Sequence, residues 1–263
     1  MVRWVRLAAV AAVAVGLAVA WRQWDVHGVA GVLSGASLLP FVVAVALNLF
    51  GRTAVRARRT QLLLGGRVSF REVVRMNLAG YAAAAMLPGP AEEAVQCAQL
   101  ARANGFTLRD LGAYQLTDKL VGLSSMAAMA LPLLPPVLAI ALGAAGLAVL
   151  AVVRPRLLAP LGWLMGSNVL VVTIIALCVS AVGGHASARD CIELMFATSL
   201  ATALPLMPGH VGTFEAGFVL VATRLGMPAP IAVSAAVLFH VVQIVPLAVV
   251  GAVALCRLPG RAS

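Results

Sequence analysis

Pro205-Leu206-Met207-Pro208-Gly209-His210-Val211-Gly212-Thr213-Phe214-Glu215-Ala216 breaks an otherwise apolar run of helix-forming residues. Proline removes a backbone donor and stops a helix, and the two glycines allow a tight turn. Glu215 then opens a strongly apolar segment. A little further on, Ile231 to Leu255 exceeds the roughly 20 residues that cross a bilayer. Irregular backbone between segments of this kind is tolerated only inside protein or against a water-filled cavity. The stretch therefore predicts a broken helix that lines a site.

The composition agrees. Of 263 residues, 62% are apolar and 11% charged, against about 45–50% and about 25% in soluble domains. Mean hydropathy is +1.01. A water-soluble enzyme and a disordered chain are both excluded. An outer-membrane barrel is excluded by long apolar runs such as Leu7 to Ala20, where a barrel strand would alternate. Of the nineteen basic residues eighteen are arginine, and Ala, Gly and Val abound, a bias associated with GC-rich bacterial genomes. The net charge of +10 reads as cytoplasmic loops rather than nucleic-acid binding. The scattered Cys97, Cys178, Cys191 and Cys256 have no metal-like spacing and read as packing residues.

Residues 1–20 fit a cleaved signal peptide or a first span; Trp4, Trp21 and Trp24 at the two ends favour the span. A second span is expected within Gly28 to Gly51, centred on Leu38 to Phe50, followed by a basic stretch from Arg52 to Arg75 on the cytoplasmic side. A helix over about Phe70 to Leu87 stops at Pro88-Gly89-Pro90. A polar helix, about Ala91 to Asn104, leads into a turn with Thr107 as the next N-cap. Full spans follow over Leu108 to Leu134, Val137 to Val153, Leu157 to Val182 and Ile231 to Leu255. A second interrupted hairpin lies between the last two. With both hairpins re-entrant and both termini cytoplasmic, sixteen basic residues fall inside and three (Arg22, Arg189 and Arg224) outside.

The two hairpins resemble each other. One reads Arg71-Glu72, then Leu87-Pro88-Gly89, then Glu93-Ala94. The other reads Arg189-Asp190, then Met207-Pro208-Gly209, then Glu215-Ala216. The Pro-Gly pairs lie 120 residues apart, with an odd number of spans between them, which is the signature of an inverted repeat with a site at the broken helices. The helix starts after each break suit an anion. Ionisable groups in apolar segments are further markers: Glu92, Glu93, Asp118, Lys119, Glu193, His210, Glu215 and His240, of which Glu93 and Glu215 occupy matching places after the breaks. The Asp118-Lys119 pair is expected to form a local ion pair with Arg109 or Glu93, and His240 to be satisfied by Gln243 one turn away. No HExxH, GxSxG, P-loop or other catalytic cluster is present.

The segment Pro205 to Ala216 resembles the P…PGGxGxFEA segment of the lysylphosphatidylglycerol synthase transmembrane-region family, also called the flippase-like domain family. Asn77 to Leu100, with Leu87-Pro88-Gly89 before Glu93, and Thr117-Asp118-Lys119 match further segments in the same order. The resemblance implies a bacterial inner-membrane protein that moves a lipid between leaflets. In relatives this domain flips aminoacylated phosphatidylglycerol, and a separate soluble domain makes it. The chain ends at Ser263, so the expectation is a protein that moves the lipid and does not make it. Where the family pattern has Arg-x-Gly-Glu and a further Arg, this chain has Pro90, Ala91, Glu92, Glu93 and Gln96. Asp118-Lys119 replaces a Glu-Arg pair, and lysine lacks the bidentate fork of arginine.

Together these readings predict an all-α integral membrane protein with about six transmembrane helices and two re-entrant helical hairpins related by an inverted repeat. It would form one domain over residues 1–263, with halves of roughly 52–156 and 157–257. The expected substrate-binding set is Pro88, Gly89, Glu92, Glu93, Arg102, Arg109, Asp118, Lys119, Pro208, Gly209, His210, Gly212 and Glu215, with no catalytic residue, metal or cofactor. The expected partner is a membrane lipid and no nucleic acid; a homo-oligomer or a lipid-biosynthesis enzyme is left open. Replacing Glu93 or Glu215 with alanine is expected to abolish lipid movement and leave the fold intact. A membrane enzyme or accessory protein of glycolipid or hopanoid assembly, and a scaffold docking a partner on the basic stretch, are the competing readings.

Overall fold

A computed structural model describes residues 26–87, 91–135, 137–138, 140–141, 155–202 and 208–256. Every regular element among them is helical. A short α1 (Val26–Ser34) is followed by a turn in which Ser37 N–H donates to the Ala181 carbonyl at 2.7 Å. From there α2 (Leu38–Ala46) runs through a π-helical turn (Leu47–Arg52) straight into α3 (Thr53–Leu63). The second span begins at Leu38, where its expected centre begins, and differs from the expectation at its C-terminal end. It carries the first arginines of the basic stretch inside a helix instead of a loop. Ala, Arg, Gln and Leu are strong helix formers, and nothing from Thr53 to Leu63 breaks the helix before Gly65-Gly66.

Both hairpins are built alike. In the first, α4 (Phe70–Met86) is capped by Ser69 and Glu72, each side chain accepting the other's backbone N–H, and α5 (Ala91–Asn104) packs back on it. The hydrogen bonds from Ser69 hold the exposed Glu72 carboxyl below the usual carboxylate range. In the second, Ser187 and Asp190 form the same reciprocal pair before α8 (Ala188–Thr202), and α9 (Thr213–Arg224) packs on α8. The charged pairs Arg71-Glu72 and Arg189-Asp190 thus each supply the acid of a capping box. A small residue closes each crossing. A Cβ on Gly80 would stand 2.8 Å from Glu92 Cγ, and one on Gly217 would stand 2.7 Å from Ala201 Cβ.

Between the hairpins lie α6 (Leu108–Ala130), N-capped by Thr107 as expected, and α7 (Leu158–Ala181). The chain closes with α10 (Ala229–Cys256), which packs along α4. One core lies among α2, α7, α8, α9 and α10 around Ile174, Leu194, Phe218 and Phe239. Another lies among α3, α4, α5 and α6 around Val73, Met76, Leu100 and Tyr114. Large apolar side chains such as Leu38, Leu39, Phe50, Leu123 and Val249 face outward, as a lipid-facing surface requires. Among the described residues three stretches are long and apolar enough to cross a membrane: Leu38–Leu63, Leu158–Ala181 and Ala229–Val253. The span expected near the N-terminus, and most of the one over Val137 to Val153, fall outside the described residues.

Pro246 lies inside α10. It has no N–H, so the carbonyl of Val242, four residues earlier, loses its helical donor. The fully buried Asn48, in the π-helical turn, supplies one: its Nδ2 donates to the Val242 carbonyl at 2.7 Å. This is how a membrane helix keeps an internal proline. Replacing Asn48 with leucine should therefore cost about 1–3 kcal/mol, read by thermal unfolding in detergent. The cost should shrink when Pro246→Ala restores the backbone donor. Equal costs in the two backgrounds would contradict the pairing.

Candidate functional site

Arg52, Arg56 and Arg59 are spaced four and three residues apart, so they share one face of the continuous π/α3 helix. That face turns inward. Arg59 is buried and pairs with Asp118 at 2.7 Å. Arg56 pairs with Glu92, hydrogen-bonds the Tyr81 hydroxyl, and lies with its guanidinium 4.8 Å from the centre of that ring. Glu92 also accepts from Gln96 Nε2 at 2.9 Å. Arg52 differs from the other two in its partners: its hydrogen bonds go to the neutral Gln243 and Asn48. Its Nε, like that of Arg59, is buried with no partner. Among the described residues no carboxylate forms an ion pair with it.

The second hairpin turns through Pro208–His210. Gly209, His210 and Gly212 all have positive φ, at 60°, 58° and 87°. Glycine takes this region freely, whereas His210 is strained by its Cβ. A histidine on α10 holds the turn. His240 Nε2 donates to the Gly209 carbonyl at 2.8 Å, which leaves Nδ1 to share a proton with Glu215 Oε1. The other Glu215 oxygen accepts from Gly212 N–H at 2.7 Å. The Phe214 ring lies 4.6 Å from the His240 ring, centre to centre. One carboxylate and one imidazole thus tie the turn, the start of α9 and α10 together.

The turn abuts the end of α4: a Cβ on Gly209 would come within 3.7 Å of the Ala85 carbonyl oxygen. Where the hairpins meet there is a cavity of about 330 Å³. Arg52 and Gln243 line it together with Tyr81, Ala85 and Glu92 of the first hairpin. The second hairpin contributes Thr198, Ser199, Thr202, Gly209, His210 and Phe214. A neighbouring cavity of about 260 Å³ is lined by Ala85, Gly209, Glu215 and His240 among others.

Of the residues singled out from the sequence, Glu92, Gly209 and His210 line the larger cavity, while Glu215 and Gly212 brace the turn beside it. Pro208 opens the turn; Pro88 and Gly89 lie outside the described residues. Glu93 pairs instead with Lys119 at 2.8 Å in an exposed position. Arg102 and Arg109 are exposed and do not line the cavity. Of the local pairs expected for Asp118-Lys119, Lys119 with Glu93 is present, whereas Asp118 takes Arg59 rather than Arg109, because α3 brings a buried guanidinium against it. His240 takes Glu215 and Gly209 rather than Gln243, since a carboxylate is the stronger partner. Gln243 serves Arg52. The sequence reading missed Arg52, Arg56 and Arg59 as inward groups; their spacing in four and three, interleaved with Ala57 and Val55, was the available signal. Among the described residues no group of His, Cys, Asp and Glu could hold a metal ion.

Comparison with known proteins gives one kind of match. The model of the family described as lysylphosphatidylglycerol synthase TM region matches residues 6–154 and 150–251. No curated protein and no solved structure matches the chain. A match over nearly the whole sequence, on a helical multi-pass membrane architecture, shows that the chain belongs to the lysylphosphatidylglycerol synthase TM region family.

Proposed function

We propose that the protein moves a polar-headed lipid between the leaflets of a bacterial inner membrane, with the headgroup passing through the cavity at the meeting of the two hairpins. The observation that carries this reading is the cavity itself. It is polar on the Arg52, Glu92 and His210 sides and lies among helices whose outer faces are apolar. Its volume of about 330 Å³ suits a headgroup and leaves no room for two acyl chains. Six spans and two re-entrant hairpins of opposite orientation would place both breaks near the midplane and both termini on the cytoplasmic side. Membership of the family supports a lipid-related role.

Leaflet exchange of a fluorescent phospholipid in proteoliposomes tests this. The purified chain should raise the fraction of label that a membrane-impermeant quencher reaches beyond the outer leaflet. Exchange no faster than in protein-free liposomes would refute the proposal.

A further inference from the structure

The cavity region carries an unbalanced charge. Glu92 is taken by Arg56 and Asp118 by Arg59, while Arg52 has only neutral partners. The other carboxylates of the two breaks are engaged as well, Glu93 by Lys119 and Glu215 by His240. Among the described residues that line the cavity, Arg52 is a cation without a carboxylate partner, and no carboxylate is free to hold an ammonium group.

The unsatisfied groups there can donate. Two buried nitrogens without a partner, Arg52 Nε and His210 Nδ1, belong to residues that line this cavity. Arginine Nε can only donate, and histidine Nδ1 donates in one tautomer. Ser199 adds a hydroxyl to the same wall. The hydroxyls of Thr198 and Thr202 are already donated to carbonyls of α8. His210 is moreover the one non-glycine residue at positive φ among the described residues. Strain of that kind persists where the surroundings hold it, and it gathers at ligand sites.

We propose that the cavity binds a phosphate diester, with Arg52 as its counter-ion and His210 and Ser199 as further donors, and that it discriminates against cationic, aminoacylated headgroups. A phosphodiester brings one negative charge and two free oxygens, which matches the single excess charge and the orphaned donors. The inference rests on the lipid reading only for the source of the diester, a phospholipid headgroup or a soluble phosphate ester.

The test is binding to the purified full chain in detergent. The probes are phosphatidylglycerol, its lysylated derivative, and soluble glycerophosphoglycerol. Phosphatidylglycerol should bind about tenfold or more tighter than the lysylated lipid, and Arg52→Gln should remove about tenfold or more of that affinity, with Arg52→Lys intermediate. His210→Gly relieves the strained φ, so it should raise the melting temperature and yet weaken phosphatidylglycerol binding about threefold or more. That combination cannot come from misfolding. Binding of glycerophosphoglycerol as tight as that of the lipid would keep the phosphate site and make a soluble ester its source, against lipid translocation. Undiminished lipid exchange and binding in Arg52→Gln would overturn the phosphate site and leave translocation standing. Equal affinity for the lysylated lipid would overturn the selectivity.

Discussion

Replacing Glu215 with alanine is expected to destabilise the protein by about 3–5 kcal/mol and to abolish lipid exchange. Both carboxylate oxygens are engaged, one with the Gly212 N–H and one with His240. Truncation would orphan a backbone donor at the start of α9 and leave a buried imidazole facing an empty space. It would also release the link between the turn and α10, so that Gly209 and His210 lose their position at the cavity. The sequence alone suggested that this variant keeps its fold; the double anchorage makes loss of fold and loss of function arrive together. Glu215→Gln separates them. Its amide oxygen still accepts from Gly212, and its amide nitrogen can donate to His240 Nδ1, so most of the stability should return. Thermal unfolding of the two variants in detergent checks the assignment. Glu215→Ala within about 0.5 kcal/mol of the parent would contradict it.

Adjacent carboxylates at the first hairpin should behave very differently. Glu92 is held between Arg56 and Gln96 at the cavity wall. Removing it strands a second guanidinium beside Arg52, and Glu92→Ala should cost about 3–5 kcal/mol. Glu93 meets Lys119, whose side chain is 64% exposed, and Glu93→Ala should cost no more than about 1 kcal/mol. Lipid exchange should follow the same order: lost in Glu92→Ala and close to the parent in Glu93→Ala. Parallel melting curves and exchange assays on the two variants decide it, and equal effects would remove Glu92 from its place in the site.

That contrast shows where sequence reading stops. Helix ends, breaks and caps were legible because they are local. The expected Ala91 to Asn104 helix, the Thr107 cap and the Ile231 to Leu255 span all have close counterparts in the structure. The pairing of Glu93 with Glu215 by position in the two repeats was a matter of spacing, and spacing along the chain does not say which of two neighbouring side chains faces inward. The crossing at Gly80, which brings Glu92 against α4, decides that. The arginines were hidden for another reason. A run of Arg52, Arg56, Arg58 and Arg59 reads as a cytoplasmic loop by charge, yet only Arg58 of the four is exposed. Helix continuity through the π turn rotates the other three inward, and the partners that make burial tolerable, Glu92, Asp118 and Gln243, lie far along the chain. In the same way the need for Asn48 arises only from Pro246, almost two hundred residues away.

A structure of the full chain in nanodiscs containing phosphatidylglycerol tests the central claim most directly. The phosphate of one lipid should lie between Arg52 and His210, with its acyl chains outside the helices and the Glu215–His240 link intact. A cavity filled only by water, with ordered lipid confined to the outer helix faces, would contradict it.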